Sequence, residues 1–244
     1  MDKTVLVIGA SGGIGRQIVL DLLDAGYNVV GTYSKTKIDV PEVTSIPLDL
    51  TSSESINSFV NEVKSFGNPL YAVINCAGIV EYEGESIEKD IEIWNRTIAV
   101  NLTANYILAK QLYPLIIEHG RFLMVSSTDA MFGGAITASY SASKAGVNSL
   151  AKSLCLLFKE KRISVNAIAP GWVNTRMIEG TGEKFLKQIA EINPLRRIAQ
   201  PNDISNLVTF LLKTESEYIN GQVITVDGGY TNQDPTLLLE EDTV

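Results

Sequence analysis

The chain has 244 residues, of which 45% are hydrophobic, and a formal net charge of −8 at pH 7. This length can bury the core of one large α/β domain, and the acidic balance argues against a nucleic-acid partner. Two cysteines, Cys76 and Cys155, are too few for a disulfide framework, so we expect buried free thiols. No apolar run is long enough to cross a membrane, and no signal sequence is evident. We therefore expect a cytoplasmic protein with no membrane partner and no metal site.

The first element is a strand followed by a glycine-rich turn. Residues 4–8 form a short apolar run, as a buried parallel strand requires. Gly9-Ala-Ser-Gly-Gly13-Ile-Gly15 follows, and a helical pattern continues over residues 16–25. Strand, glycine turn and helix are the setting in which backbone N–H groups bind a dinucleotide pyrophosphate. A plain tight turn is the alternative.

The end of the second strand, residues 28–32, bears on the choice of cofactor. A free ribose 2′-hydroxyl usually meets an acidic residue at this point, and none occurs here. The chain offers instead small hydroxyls and lysines, namely Thr32, Tyr33, Ser34, Lys35 and Lys37. These suit a 2′-phosphate, which favours NADP(H) over NAD(H). The alternative is that both lysines are only solvated loop charges.

The connection to the third strand, residues 45–48, holds Pro41 and little helical pattern. We therefore predict a loop in place of the usual crossover helix, with that sheet edge thinly covered. The next helix begins after Thr51 or Ser52, either of which is a suitable cap, and Asp49 is a further candidate.

The fourth strand, residues 71–75, ends in Asn-Cys-Ala-Gly78, where glycine lets the backbone approach a ligand closely. Residues 88–118 carry two helical segments, and Asn101 lies there in an otherwise apolar stretch. A buried amide must be hydrogen-bonded, and either a structural or a catalytic role would supply its partners.

The fifth strand, residues 122–126, brings Ser126 and Ser127 to the carboxyl edge of the sheet, where open α/β sheets bind ligands. Tyr140 and Lys144 follow on a helix, where residues four apart lie side by side. A cation beside the phenol would lower the tyrosine pKa toward neutrality, where general acid–base catalysis works best. An ordinary helical pair is the alternative.

The rest of the chain continues the alternation of strands and helices. It predicts a helix to residue 158, strands at 163–168 and 222–226, a helix at 203–212, and a lid over 176–200 with one short helix at 185–189. The acidic tail, residues 231–244, is either frayed or packs on another subunit. About seven strands and six helices predict a single-domain, doubly wound Rossmann-type parallel sheet over residues 1–244, with helices on both faces.

Taken together, these motifs resemble the short-chain dehydrogenase/reductase family. The chain carries, in the family's order and at matching separations, Gly9-x-x-x-Gly13-x-Gly15, Asn75-x-Ala-Gly78, Asn101, Ser127, Tyr140-x-x-x-Lys144 and Pro170-Gly171 to Thr175. Within the family, the chain looks most like the 3-oxoacyl-acyl-carrier-protein reductases.

The resemblance implies four catalytic residues. Tyr140 would give a proton to the carbonyl oxygen, and Ser127 would hydrogen-bond the same oxygen. Lys144 would lower the tyrosine pKa and contact the nicotinamide ribose, and Asn101 would support a water chain that resupplies the proton. Ser127 is preferred to Ser126 because its distance to Tyr140 matches the family's.

The resemblance also implies the cofactor contacts. The pyrophosphate would be lined by Gly9, Ser11, Gly13, Ile14 and Gly15. Asp49 would meet the adenine, Asn75 the ribose region and Thr175 the carboxamide. The other predicted contacts are Tyr33, Ser34, Lys35, Leu50, Ala77, Gly78, Pro170, Gly171 and Val173, beside Tyr140 and Lys144.

The chain departs from the family's pattern in three places. NADP-reading members often carry a basic residue where this chain has Gly12, and Cys76 replaces a family asparagine. Members that bind acyl carrier protein use basic residues beside the site entrance. The matching positions here are Glu118 and Lys161, only one of which is basic.

The function implied is that of an NADP(H)-dependent ketoreductase acting on a 3-oxoacyl thioester, as in fatty-acid or polyketide-type biosynthesis, with acyl carrier protein as a partner. One alternative is a dehydrogenase of a sugar, polyol or other small alcohol. Another is a non-catalytic dinucleotide-binding regulator.

Two further expectations accompany this function. The pocket wall is expected to include Met131, Phe132, Trp172 and Ile178, unless these residues serve only core or lid packing. The family's usual assembly implies a homotetramer joined by residues 102–118 and 140–158 and by the last strand.

Overall fold

In a computed structural model, which describes residues 3–232, seven parallel strands form one sheet. The strands are β1 Thr4–Ile8, β2 Asn28–Tyr33, β3 Thr44–Pro47, β4 Leu70–Asn75, β5 Ile116–Val125, β6 Ser164–Pro170 and β7 Val223–Val226. Their order is β3-β2-β1-β4-β5-β6-β7. The order reverses between β1 and β4, and doubly wound sheets bind ligands beside such a switch point. The predicted fold class is confirmed.

Helices connect the strands and cover both faces of the sheet. They are α1 Gly13–Asp24, α2 Ser53–Ser65, α3 Ile87–Ile98, α4 Ala104–Leu112, α5 Asp129–Phe132, α6 Ala138–Leu157, α7 Glu183–Ile192 and α8 Pro201–Leu211. A π-helical segment, Ala99–Thr103, joins α3 to α4. Such segments occur often at functional sites, and this one contains Asn101.

Alternation along each strand divides the apolar core into two layers. On β1, Leu6 and Ile8 pack in the layer that also holds buried residues of α2, α4 and α6. Val5 and Val7 point to the other face, where α1 and α8 lie. Successive strand side chains point to opposite faces, so the continuous apolar runs seen in the sequence fill both layers at once.

The connection between β2 and β3 is a loop without a helix, as predicted. Three buried side chains, Ile38, Val40 and Val43, cover this edge of the sheet in place of a helix. The predicted short helix in the lid is α7, which is longer than the sequence pattern indicated.

Two other predictions concern the ends and the surface of the chain. Apart from a short turn at Tyr230–Asn232, the acidic tail lies outside the described residues. Within residues 3–232, no helix is long and apolar enough to span a membrane. α4 and α6, predicted to join subunits, expose Tyr106, Leu156 and Leu157, and the tetramer stays a prediction.

Candidate active site

A cavity of about 760 Å³ opens at the carboxyl ends of the central strands. Its walls include residues that directly follow β1, β2, β4, β5 and β6, which is where ligands bind in open α/β sheets. All the predicted catalytic and cofactor residues line it except Asn75 and Asn101. The sequence motifs, which are far apart along the chain, therefore meet in one cleft.

The glycine turn between β1 and α1 forms one wall of this cleft. Gly9 has φ +80°, and a Cβ there would lie 2.8 Å from the backbone nitrogen of Ala77. α1 has Gly12 as its N-cap and no side-chain capping bond. Its first-turn N–H groups are therefore left for an anion from the cleft, so these residues fit the pyrophosphate of a dinucleotide.

The predicted adenosine end of the cleft lies beyond β2 and β3. Tyr33, Ser34 and Lys35 line it, and the Lys35 ammonium makes no hydrogen bond or ion pair with any residue of the described chain. Asp49 lines the same cavity, and its Oδ1 accepts hydrogen bonds from the backbone and the hydroxyl of Thr51 at 2.9 and 2.7 Å. These bonds lower the pKa of the Asp49 carboxyl.

Near that end, the cap of α2 and the buried threonine of β2 both have structural partners. The cap is Ser52, whose Oγ accepts a hydrogen bond from the backbone nitrogen of Ser55. Thr32 is buried, and its Oγ1 accepts a hydrogen bond from the backbone nitrogen of Gly9. The threonine hydroxyl therefore supports the glycine turn.

β5 and α6 bring the catalytic candidates together. The Ser127 hydroxyl lies close enough to the Tyr140 phenol to lower its pKa. Ser126 is buried, and its Oγ instead donates to the carbonyl of Lys144 at 3.1 Å. The geometry thus supports the choice of Ser127 over Ser126. The Lys144 Nζ donates to the carbonyl of Val125 at 2.8 Å.

The pKa of Tyr140 is raised, whereas the sequence predicted that it would be lowered. This pKa is raised to about 12, chiefly by burial; the Ser127 hydroxyl acts in the opposite direction, and the charge of Asp129 contributes to the rise. Burial lowers the pKa of Lys144 to about 8. The Lys144 Nζ lies 5.5 Å from the centre of the Tyr140 ring. The expected lowering of the tyrosine pKa by this lysine is therefore wrong for this structure, because desolvation is the largest influence on the phenol and Lys144 is not among the groups that shift its pKa.

Asn101 connects the loop after β4 to α6. Its Oδ1 accepts from the backbone nitrogen of Ile79 at 2.9 Å, and its Nδ2 donates to the Ile79 carbonyl at 2.8 Å. The same Nδ2 lies 3.1 Å from the Ser143 Oγ, which in turn donates to the carbonyl of Tyr140. The amide therefore has structural partners, and its part in a water chain stays a prediction.

Asn75 is buried and does not line the cleft. Its Nδ2 donates to the Oδ1 of Asn105 at 2.8 Å, and its Oδ1 accepts from the backbone nitrogen of Ala77 at 3.0 Å. One end of the amide thus binds α4 and the other holds the turn after β4, and the expected place of Asn75 in the ribose region stays a prediction. Cys76, in that turn, and Cys155 are free but only half-buried, so the expectation of buried thiols is half right.

The predicted pocket wall is partly confirmed. Trp172 and Ile178 line the cavity, and Trp172 packs edge-on against Phe185 of α7 at 5.6 Å between ring centres. Met131 and Phe132 do not line it, and they are 48% and 64% exposed. Both lie on α5, a single short turn that directs them away from the cleft.

Several lining residues carry no family motif and were missed from the sequence. They are Tyr82, Arg96, Asp129, Thr137 and Arg176. Asp129 and Thr137 lie between Ser127 and Tyr140 in the sequence, and this position was the one feature that could have identified them as site residues.

The two positions considered for carrier-protein binding lie far from this chain's own cleft. Glu118 and Lys161 are at the amino ends of β5 and β6, whereas the cleft is at the carboxyl ends. The Lys161 Nζ donates to the carbonyls of Tyr113, Pro114 and Ile116 at 3.2, 2.9 and 2.7 Å. Their placement beside the entrance of the same chain is therefore wrong, and Lys161 has a structural role.

Glu83 caps the catalytic helix from a distant loop. Its carboxylate accepts hydrogen bonds from the backbone nitrogens of Ala138 and Ser139 at 3.1 and 2.8 Å. The helix's own N-cap, Thr137, makes no side-chain capping bond. A carboxylate at a helix N-terminus also meets the positive end of the helix dipole. Glu83 thus holds the first turn of α6, which contains Tyr140.

We expect Glu83→Ala to lower the free energy of unfolding by about 1 kcal/mol, the typical value of an N-cap. The melting temperature should fall by roughly 2–4 °C, and kcat should fall more than KM rises. Glu83→Gln, which keeps one acceptor, should recover part of both. Glu85→Ala is the control, because Glu85 forms only an exposed pair with Lys89. Equal melting temperatures and equal kcat for the Glu83 and Glu85 variants would contradict the capping role.

Comparison with known proteins finds relatives over almost the whole chain. The family model described as "Enoyl-(Acyl carrier protein) reductase" matches residues 9–231. The chain is 32% identical over 242 residues to the 3-oxoacyl-[acyl-carrier-protein] reductase FabG of Staphylococcus aureus. That alignment covers 94% of this chain and 98% of the relative.

Solved structures share the whole fold. A short chain dehydrogenase family protein from Francisella tularensis is 28% identical with a TM-score of 0.87, covering 96% of this chain and 100% of that one. Aldohexose dehydrogenase of Thermoplasma acidophilum is 28% identical with a TM-score of 0.86, covering 96% of each chain. ElxO, solved with NADP bound, is 27% identical with a TM-score of 0.82, covering 96% of this chain and 100% of that one.

Proposed function

Because the chain belongs to the short-chain dehydrogenase/reductase family, we propose that it is an NADP(H)-dependent oxidoreductase that reduces a ketone carbonyl. The observation that carries this proposal is the meeting of Ser127, Tyr140 and Lys144 in the cleft that also contains the uncapped start of α1. A proton donor and an anion site for a dinucleotide therefore lie within one cavity.

The chain's own residues have distinct parts in this reaction. When bound, the nicotinamide supplies the hydride. Ser127 hydrogen-bonds the carbonyl oxygen and holds it beside Tyr140. Because burial raises the pKa of Tyr140 to about 12, the phenol keeps its proton at neutral pH and donates it as the oxygen gains charge. Lys144 is buried, with its Nζ 5.5 Å from the centre of the Tyr140 ring, and adds positive charge near the phenol.

The preference for NADP(H) rests on the end of β2. Lys35 lies in the cleft and pairs with no residue of 3–232, Ser34 adds a hydroxyl, and no acidic residue directly follows the strand. These groups suit a 2′-phosphate, and ElxO, a relative of the same fold, has been solved with NADP. Gly12 provides no basic group, so Lys35 would be the main cationic contact.

Two substrate classes follow from the relatives and the walls of the cleft. The first is a 3-oxoacyl thioester, supported by the name of the S. aureus relative and by the apolar wall of Val100, Trp172 and Ile178. The second is a hydroxylated ketone or the matching sugar or polyol. The Thermoplasma aldohexose dehydrogenase and the carboxylate of Asp129 favour this class.

The test is the loss of reduced-nicotinamide absorbance with NADPH or NADH. The substrates are acetoacetyl-N-acetylcysteamine, a short 3-oxoacyl thioester, and 3-hydroxy-2-butanone, a hydroxylated ketone. We expect turnover with NADPH. Turnover with NADH alone would contradict the predicted contact with a 2′-phosphate but would still support ketone reduction. No turnover of any ketone or alcohol, despite measured cofactor binding, would favour a non-catalytic dinucleotide-binding protein.

A further inference from the structure

Asp129 lines the cleft beside Ser127 and brings a carboxyl group to that part of the chain. It lies two residues after Ser127, is half-buried and lines the cavity. Its backbone nitrogen donates to the Ser127 Oγ at 3.1 Å, so the residue is fixed beside the serine proposed to hold the carbonyl oxygen.

The Asp129 carboxylate has no partner among the described residues. It accepts no hydrogen bond and forms no ion pair within residues 3–232, and it does not cap α5. Two cations that line the cleft are already engaged elsewhere. Arg96 binds both carboxylate oxygens of Glu81 at 2.7 Å, and Lys144 donates to the carbonyl of Val125. A half-buried charge without a partner is costly, so a ligand that supplies a donor would offset this cost.

The carboxylate also acts on the reacting groups. Burial raises the pKa of Asp129, and the charge of Asp129 raises the pKa of Tyr140. The carboxylate is therefore close enough to the phenol to change the pKa of the phenol. Negative charge develops on the carbonyl oxygen during reduction, and an uncompensated carboxylate nearby would oppose it. A hydrogen-bond donor of the substrate, placed between them, would remove this penalty.

We infer that Asp129 is a specificity-determining residue that accepts a hydrogen bond from a hydroxyl group next to the reacting carbonyl. The inference rests on the proposed ketone reduction and selects the second of the two substrate classes. A 3-oxoacyl thioester has only carbon groups beside its reacting carbonyl and offers no donor there. A hydroxylated ketone does, and Thr137 and Thr181 add neutral hydroxyls to the same cavity wall for further contacts.

The test compares matched ketones, 3-hydroxy-2-butanone and 2-butanone, in the wild type and in Asp129→Asn and Asp129→Ala. The quantity measured is kcat/KM with NADPH. Asp129→Ala should lower kcat/KM for the hydroxylated ketone roughly 10- to 100-fold, the loss expected for a hydrogen bond to a charged group. For 2-butanone, kcat/KM should stay equal or rise. Asp129→Asn, which keeps an acceptor oxygen of the same shape, should lose less.

Controls separate the possible failures. The affinity for NADPH, measured by fluorescence titration, should be the same in all three proteins and shows that the variants are folded. Parallel changes for both ketones, or a wild type that prefers acetoacetyl-N-acetylcysteamine to the hydroxylated ketone, would overturn the inference while leaving ketone reduction intact. A wild type that reduces no ketone would overturn the proposed function, and the inference with it.

Discussion

Replacing Tyr140 with phenylalanine should lower kcat by about two to four orders of magnitude, the usual contribution of a general acid. The tyrosine ring is buried, and phenylalanine keeps its shape, so packing of α6 should be preserved. The one group lost is the hydroxyl, whose pKa is influenced by the neighbouring Ser127. The Ser127 Oγ still accepts a bond from the backbone nitrogen of Asp129, so it is not left without a partner.

Three measurements define this result. The rate of NADPH oxidation gives kcat, fluorescence titration gives the affinity for NADPH, and thermal unfolding gives stability. The affinity and the melting temperature should be close to the wild-type values. Tyr106→Phe is the matched control, because Tyr106 is 48% exposed on α4 and makes no part of the cleft. Near-normal turnover in Tyr140→Phe would show that another group donates the proton.

The pattern of apolar residues along the chain was enough to predict most strands of the sheet. Each buried strand is a short apolar run, and its position can be read without knowing its neighbours. β5 shows where this fails, since it begins at Ile116 and not near residue 122 as predicted. Near its middle lies Arg121, whose buried guanidinium donates to the carbonyls of Leu211 and His119. Two of the carbonyls that accept from this arginine, those of Leu211 and Lys213, are about 90 residues away, and the sequence does not reveal that they lie beside it.

Some features of the candidate site could also be predicted from the sequence, and others could not. Fixed spacing placed Tyr140 and Lys144 on one helix, and the resemblance placed Ser127 beside them. The direction of the tyrosine pKa could not be predicted, because it depends on how deeply the side chain is buried. Glu83 was missed for a related reason, because its partners on α6 lie 55 and 56 residues away.

The second large effect is expected from Gly15→Ala, a substitution in the glycine turn between β1 and α1. A Cβ at Gly15 would lie 2.1 Å from the carbonyl oxygen of Gly9 and 3.3 Å from the Cα of Ala10. Both contacts are with backbone, so no rotamer change relieves them, and α1 must move away from β1. Overpacking of this kind costs about 1–3 kcal/mol or more. The melting temperature should fall by roughly 2–12 °C, and the affinity for NADPH should fall because the same turn forms the pyrophosphate site.

Gly12→Ala is the matched control for stability. Gly12 has φ −164°, which any residue adopts, and a Cβ there would meet nothing within 4 Å. Alanine restricts the unfolded chain but is a poorer N-cap than glycine, and these opposing effects should leave the control within about 2 °C of the wild type. The two variants add the same methyl group three residues apart, and only one of them meets the backbone of the turn. Equal melting temperatures would show that α1 shifts freely at its start, and the close approach of Gly15 to Gly9 would then not be required for the fold.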